Sequence, residues 1–162
     1  MKEVKLRRYR NLLTVSGLGV IAFGGWSVLK MILVFVMQRD TIEALFAEMA
    51  VDSRVKGITI VIVIAIMLID FLIRIFVGST ARAEGLGKKK GPAYIVFALL
   101  LALGSLFSLV LLFVDGDSLS KTPILQTAIS VILEITSMVA TIELLVAAFT
   151  VKKLEKELGE VK

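Results

Sequence analysis

Residues 70–91 read DFLIRIFVGSTARAEGLGKKKG, and this stretch decides the fold. It begins inside a long apolar run that already holds two charges, Asp70 and Arg74. It passes through a glycine-punctuated basic turn with Arg82, Lys88, Lys89 and Lys90, then meets Gly91-Pro92 at the start of another apolar run. An apolar run, a short basic turn and a second apolar run is the pattern of two membrane helices joined on the cytoplasmic side. Pro92 suits the first turn of the second helix, where its missing N–H breaks no hydrogen bond.

Working outward, the same alternation extends over the whole chain. Apolar runs occupy about residues 12–37, 57–77, 92–114 and 124–151, each near or above the roughly twenty residues a spanning helix requires. Residues 58–69, ITIVIVIAIMLI, are rich in β-branched side chains. In a soluble protein they would suggest a strand, but the run is too long, and a helix satisfies every backbone group internally where water is absent. A hydrophobic content of 57% and a mean hydropathy of +0.92 agree, against the roughly 45–50% apolar content of ordinary soluble domains. The basic start followed by an apolar run has the form of a secretory signal, but the run is too long for one and reads as a retained first span. The expectation is therefore an all-α, polytopic integral membrane protein. Residues 1–162 form one domain, a four-helix bundle with up-down connectivity.

Orientation follows from Lys and Arg near the span ends. Thirteen lie in the N-terminal segment, the 78–91 turn and the C-terminal tail, which must share a side, and four lie in the two connections opposite. This bias places both termini in the cytoplasm, with the plasma (cytoplasmic) membrane as the expected location. Arg7, Arg8, Arg82, Lys88, Lys89 and Lys90 are then expected to contact anionic lipid. Residues 38–56 carry Ile42, Leu45, Phe46 and Met49 at helical spacing, with Asp40 and Glu43 placed to cap. They read either as an amphipathic surface helix or as a connector packed on the spans. Residues 115–123 read as a short turn.

Composition excludes much chemistry. The chain has neither cysteine nor histidine. Disulfides, thiolate sites and thiol nucleophiles are absent, and so are the commonest general base and the usual zinc or haem ligand. A Ser–Lys or carboxylate mechanism would remain, but no motif surrounds Lys30, and the chain is not expected to be an enzyme. Residues 85–91, GLGKKKG, lack the spacing and preceding strand of a phosphate loop. No cofactor and no nucleic-acid partner is expected.

Five ionisable residues fall within the spans: Lys30, Asp70, Arg74, Glu134 and Glu143. Charges there are costly and usually face protein or water. At about 1.5 Å rise per residue, Lys30 matches Glu134 in depth, and Arg74 matches Asp70 and Glu143. Asp70 and Arg74, four apart, can pair along one helix face. Glu134 and Glu143, nine apart, point in opposite directions. Gly17, Gly19, Gly24 and Gly25, with Gly104, Ser105 and Ser108, read as smooth patches for close helix packing. Trp26, near midspan, reads as packed or facing an internal cavity instead of anchoring at an interface.

Two functional readings stand. The first is an oligomeric transporter or channel-like subunit for a cation or small solute, using the carboxylates within the spans. The second is a non-catalytic accessory, immunity or assembly protein whose charges are structural pairs. Either implies a second copy or another membrane protein as partner.

Overall fold

The computed structural model describes residues 2–37, 39, 43, 46, 52–114 and 124–159. Four long helices carry the fold: α1 (Lys2–Met37), α2 (Ser53–Gly85), α3 (Ala93–Val114) and α4 (Ile124–Gly159). All four are long and apolar enough to cross a membrane. Most of the 38–51 segment, including Asp40, and the 115–123 turn lie outside the described residues. Within the former, Arg39, Glu43 and Phe46 are helical, and Arg39 Nε donates to Glu43 Oε1 at 3.1 Å, one turn on.

The helices continue beyond the apolar runs. α1 begins at Lys2, α2 reaches Gly85, and the basic tail of α4 stays helical to Gly159. A helix of 36 residues is about 54 Å long, well beyond the roughly 30 Å of a bilayer's hydrocarbon. Residues 78–85, expected within a turn, are therefore the last two turns of α2. What ends that helix is Gly87, at φ +90°, a backbone conformation glycine adopts without a steric penalty. The N–H groups of Leu86, Gly87 and Lys88 bond back to the carbonyls of Arg82, Glu84 and Ala83 at 2.9–3.1 Å. Residues 86–92 then lead into α3, where Ile95 N–H bonds Pro92 O at 2.9 Å.

The helices form a closed ring in which α1 packs on α2 and α4, and α3 packs on α2 and α4. The α1–α2 contact is the most extensive, and glycine is the reason. A Cβ at Gly17 would stand 2.7 Å from the carbonyl oxygen of Gly78, and one at Gly78 would collide with Gly17 in return. Backbone meets backbone there, as at small-residue crossings in membranes. The four glycines of α1 divide, however. Gly17 and Gly24 make tight contacts, Gly19 makes an ordinary one with Ala140, and Gly25 faces open space. Trp26 is exposed, not packed inside.

The core lies towards one end. It comprises Leu13 and Val20 of α1, Val77 and Ala81 of α2, Tyr94, Ile95, Ala98 and Leu101 of α3, and Leu144, Leu145, Ala147, Ala148 and Val151 of α4. Among the described residues, nothing from 54 to 73 in α2 is buried, nor anything after Gly24 in α1 or after Ser105 in α3. The bundle is dense at the end that holds the start of α1 and the end of α4, and loosens towards the other.

Candidate functional site

The last packed layer of the bundle is built around a charge. Arg74 is only 8% exposed, and its Nε donates to Asp70 Oδ2 at 2.8 Å, one turn earlier on α2. Its Nη1 crosses to α4 and donates to Ser137 Oγ at 3.0 Å. Gly24 makes room for its stem: a Cβ at that glycine would stand 3.0 Å from Arg74 Cδ and 3.1 Å from Cβ. Buried Ser105 of α3 belongs to the same level.

Immediately beyond this layer a cavity of about 470 Å³ opens between α2, α3 and α4. Asp70 and Arg74 line it from α2, Gly104, Ser105 and Ser108 from α3, and Glu134 from α4. Gly104 and Ser108 are exposed at this void, where a Cβ at Gly104 would touch nothing, whereas Ser105 is buried at its edge. Glu134 is half-buried, and among the described residues it has neither an ion pair nor a hydrogen bond. The cavity thus holds one arginine with its partners in place and, opposite, a carboxylate with none among the described residues.

Of the five charges singled out from sequence, the structure brings Asp70, Arg74 and Glu134 together. The expected juxtaposition of Arg74 with Glu143 is not found. Arg74 reaches the helix face of Glu134, Ser137 and Thr141, whereas Glu143 is exposed beside Val139, Ile142 and Val146. Six residues separate Ser137 from Glu143, about 120° off in helical phase, so one arginine cannot serve both. Lys30 is exposed, near Leu29 and Leu33, and does not line the cavity.

A second polar cluster, at the dense end, was not foreseen. Glu84 is 2% exposed and Tyr94 fully buried. Lys152 Nζ sits 3.3 Å from Glu84 Oε1, lies 6.0 Å from the centre of the Tyr94 ring, and donates to Lys90 O at 3.1 Å. Among the described residues no directed hydrogen bond joins Glu84 to Lys152, so their contact is an ion pair. Nearby, Arg10 Nη2 meets Glu155 Oε1 at 2.7 Å and Lys2 Nζ meets Glu157 Oε2 at 3.0 Å. Ion pairs tie α1 and α2 to α4 at this end, and α3 joins them through the Tyr94 ring beneath Lys152. The available signal was Glu84 itself, an acid amid cations that the apolar-run boundaries had assigned to a turn.

Arg7 and Arg8 line a separate cavity at the same end, between α1 and the end of α2. Arg82, Lys88, Lys89 and Lys90 do not line it. Among the described residues no group of three or more acidic side chains converges as a metal site would require. Compared with protein-family models, with curated proteins and with solved structures, the chain matches none.

Proposed function

We propose that this chain is a multi-pass membrane protein that binds a proton or small monovalent cation at Glu134, acting as an oligomeric transporter or channel-like subunit. The observation that carries the reading is the Glu134 carboxylate, without a partner among the described residues, in a cavity where Arg74 is already engaged by Asp70 and Ser137. An unpaired charge in an apolar span is costly, so it is retained where it has a ligand or a proton to take. The hydroxyls of Ser105 and Ser108 border the same void and supply neutral oxygen donors of the kind hard cations accept.

The start of α1, the end of α2, the start of α3 and the end of α4 meet at one end through the Arg10–Glu155, Glu84–Lys152 and Lys152–Tyr94 contacts. That arrangement supports up-down crossing, and the Lys and Arg bias favours the cytoplasm for this end, with the plasma membrane as the site of insertion. The exposed carboxylate of Glu143 supports assembly with a second copy, since a lone charge facing lipid is unfavourable.

The second reading, an accessory protein whose charges are structural, is favoured by the Asp70–Arg74–Ser137 and Glu84–Lys152 pairings. Flux in proteoliposomes separates the two. Purified wild-type protein should dissipate an imposed proton, sodium or potassium gradient, and Glu134→Gln should reduce the rate to that of protein-free vesicles while unfolding at the wild-type temperature. No flux of any of these ions from the wild type, or full flux from the variant, would reject the transport reading.

A further inference from the structure

The cavity of about 700 Å³ at the dense end is lined from α1 by Arg7, Arg8, Arg10, Asn11 and Thr14, and by Gly85 at the end of α2 with Leu86 just after it. Its floor is the close approach of the two helices. A Cβ at Gly85 would collide with Thr14 Oγ1 and stand 2.6 Å from the carbonyl oxygen of Arg10. Three arginines line the cavity around this floor, and among the described residues no acid lines it. Arg10 has one anionic partner, Glu155, and its Nε is buried without an acceptor. Arg7 and Arg8 are exposed and, among the described residues, have no ion-pair partner.

We infer that this cavity is a binding site for the phosphate group of an anionic phospholipid. Arginine presents a planar fork of donors that matches phosphate oxygens, and the Asn11 amide lies on the same wall, while the Thr14 hydroxyl is held by its bond to Arg10 O at 3.0 Å. What favours a lipid over a free phosphate is the surface on either side. Val4 and Leu86, 74% and 66% exposed, give the rim an apolar edge. Along α1 the face of Arg7, Arg8 and Asn11 continues at helical spacing into Val15 and Leu18, 60% and 46% exposed. A headgroup held by the arginines would therefore lay its acyl chains along an apolar track on the same helix. The site also differs from the diffuse attraction of the Lys88–Lys90 run, which does not line it.

The test is native mass spectrometry of the full chain from detergent, with phosphatidylglycerol, phosphatidylcholine, glycerol 3-phosphate and inorganic phosphate as separate probes. One phosphatidylglycerol should be retained per chain, with phosphatidylcholine retained far less. The Arg7→Gln/Arg8→Gln pair should weaken retention about thirty-fold, the worth of two basic side chains at an anionic surface. Asn11→Asp, which places a carboxylate in the cavity, should weaken it too. Lys88→Gln/Lys89→Gln should leave it nearly unchanged. Equal losses from the arginine and lysine pairs would mean diffuse attraction and overturn the site. Displacement of phosphatidylglycerol by inorganic phosphate or glycerol 3-phosphate at matched concentration would assign the cavity to a soluble phosphate and overturn the lipid.

Discussion

Arg74 of α2 reaches Ser137 of α4 at 3.0 Å, and this bond, with the Asp70 pair one turn away, closes the packed half of the bundle. The guanidinium is buried, so its partners differ in what they contribute. Arg74→Ala removes both bonds and leaves Asp70 without its cation; because the Asp70 side chain is 42% exposed, the loss should fall at or below the low end of the ~3–5 kcal/mol of a fully buried pair. Ser137→Ala removes one charge-assisted bond and should cost about 1.5–3 kcal/mol. Thermal unfolding in detergent should rank Arg74→Ala below Ser137→Ala. Equal losses would mean that the serine, not the Asp70 carboxylate, is the main support of Arg74.

The glycines of α1 supply a graded series on one helix. Gly17→Ala drives a methyl into the Gly78 carbonyl, backbone that cannot move without parting α1 from α2. Overpacking of that kind costs typically about 1–3 kcal/mol. Gly24→Ala meets the stem of Arg74, a side chain that can give by a few tenths of an ångström, and should cost less. Gly25→Ala meets nothing and should be neutral or stabilising by up to about 1 kcal/mol, the helix-propensity gain of alanine. Midpoints of thermal unfolding in one detergent should follow the order Gly25→Ala, Gly24→Ala, Gly17→Ala, from most to least stable.

The four apolar runs and the Asp70–Arg74 pair were legible in the sequence because each follows from local spacing: run length for the helices, and a separation of four for the pair. The Arg74–Ser137 bond and the Glu134 cavity were not, because they depend on the rotation of α4 about its axis. Depth along the helix matched both Glu134 and Glu143 to cations, and only the packing of Leu144, Ala147, Ala148 and Val151 against the other helices turns Glu143 outward. The Glu84–Lys152 cluster was hidden for a different reason. Hydropathy marks where the apolar side chains stop, whereas α2 and α4 continue as helices held together by ion pairs beyond that point.

At the dense end, Glu84 should depend on Lys152 far more than Glu155 depends on Arg10. The Glu84 side chain is 3% exposed, so Lys152→Ala strands a buried carboxylate and should cost about 3–5 kcal/mol. The Arg10 and Glu155 side chains are 34% and 32% exposed, and Glu155→Ala should cost under about 1 kcal/mol. Adding Glu84→Gln to Lys152→Ala should restore part of the loss, because the stranded group is then neutral. A double variant no more stable than Lys152→Ala alone would show that the lysine acts through its bond to Lys90 O and its contact with Tyr94 instead.

Orientation is open to a direct check. Cysteines introduced at Lys89 and Ser118, in a chain with no cysteine of its own, should report opposite sides of the membrane. A membrane-impermeant maleimide applied to intact cells should modify Ser118→Cys and leave Lys89→Cys untouched until the cells are opened. The reverse pattern would invert the proposed topology and place the dense end outside.

Glu143 leads to the last prediction. It lies on an exposed strip of α4 with Val139, Ile142, Val146 and Phe149, and among the described residues it has no partner. A carboxylate on a surface otherwise made for lipid costs at least about 2.5 kcal/mol at depth, so the strip is expected to be covered by a second copy of the chain. If so, Val139→Cys and Val146→Cys, about two turns apart on that strip, should each form disulfide-linked dimers under mild oxidation in native membranes. Ala147→Cys, on the buried side of the same helix, should not. Glu143→Leu distinguishes the remaining possibilities. A dimer held by a hydrogen bond to Glu143 should weaken on this substitution, lowering the crosslinked fraction at both positions. An unchanged fraction would show that apolar packing holds the dimer without the carboxylate. No crosslinking at either position, with the variant unfolding at a higher temperature than wild type, would place the strip against lipid and Glu143 among charges the monomer tolerates.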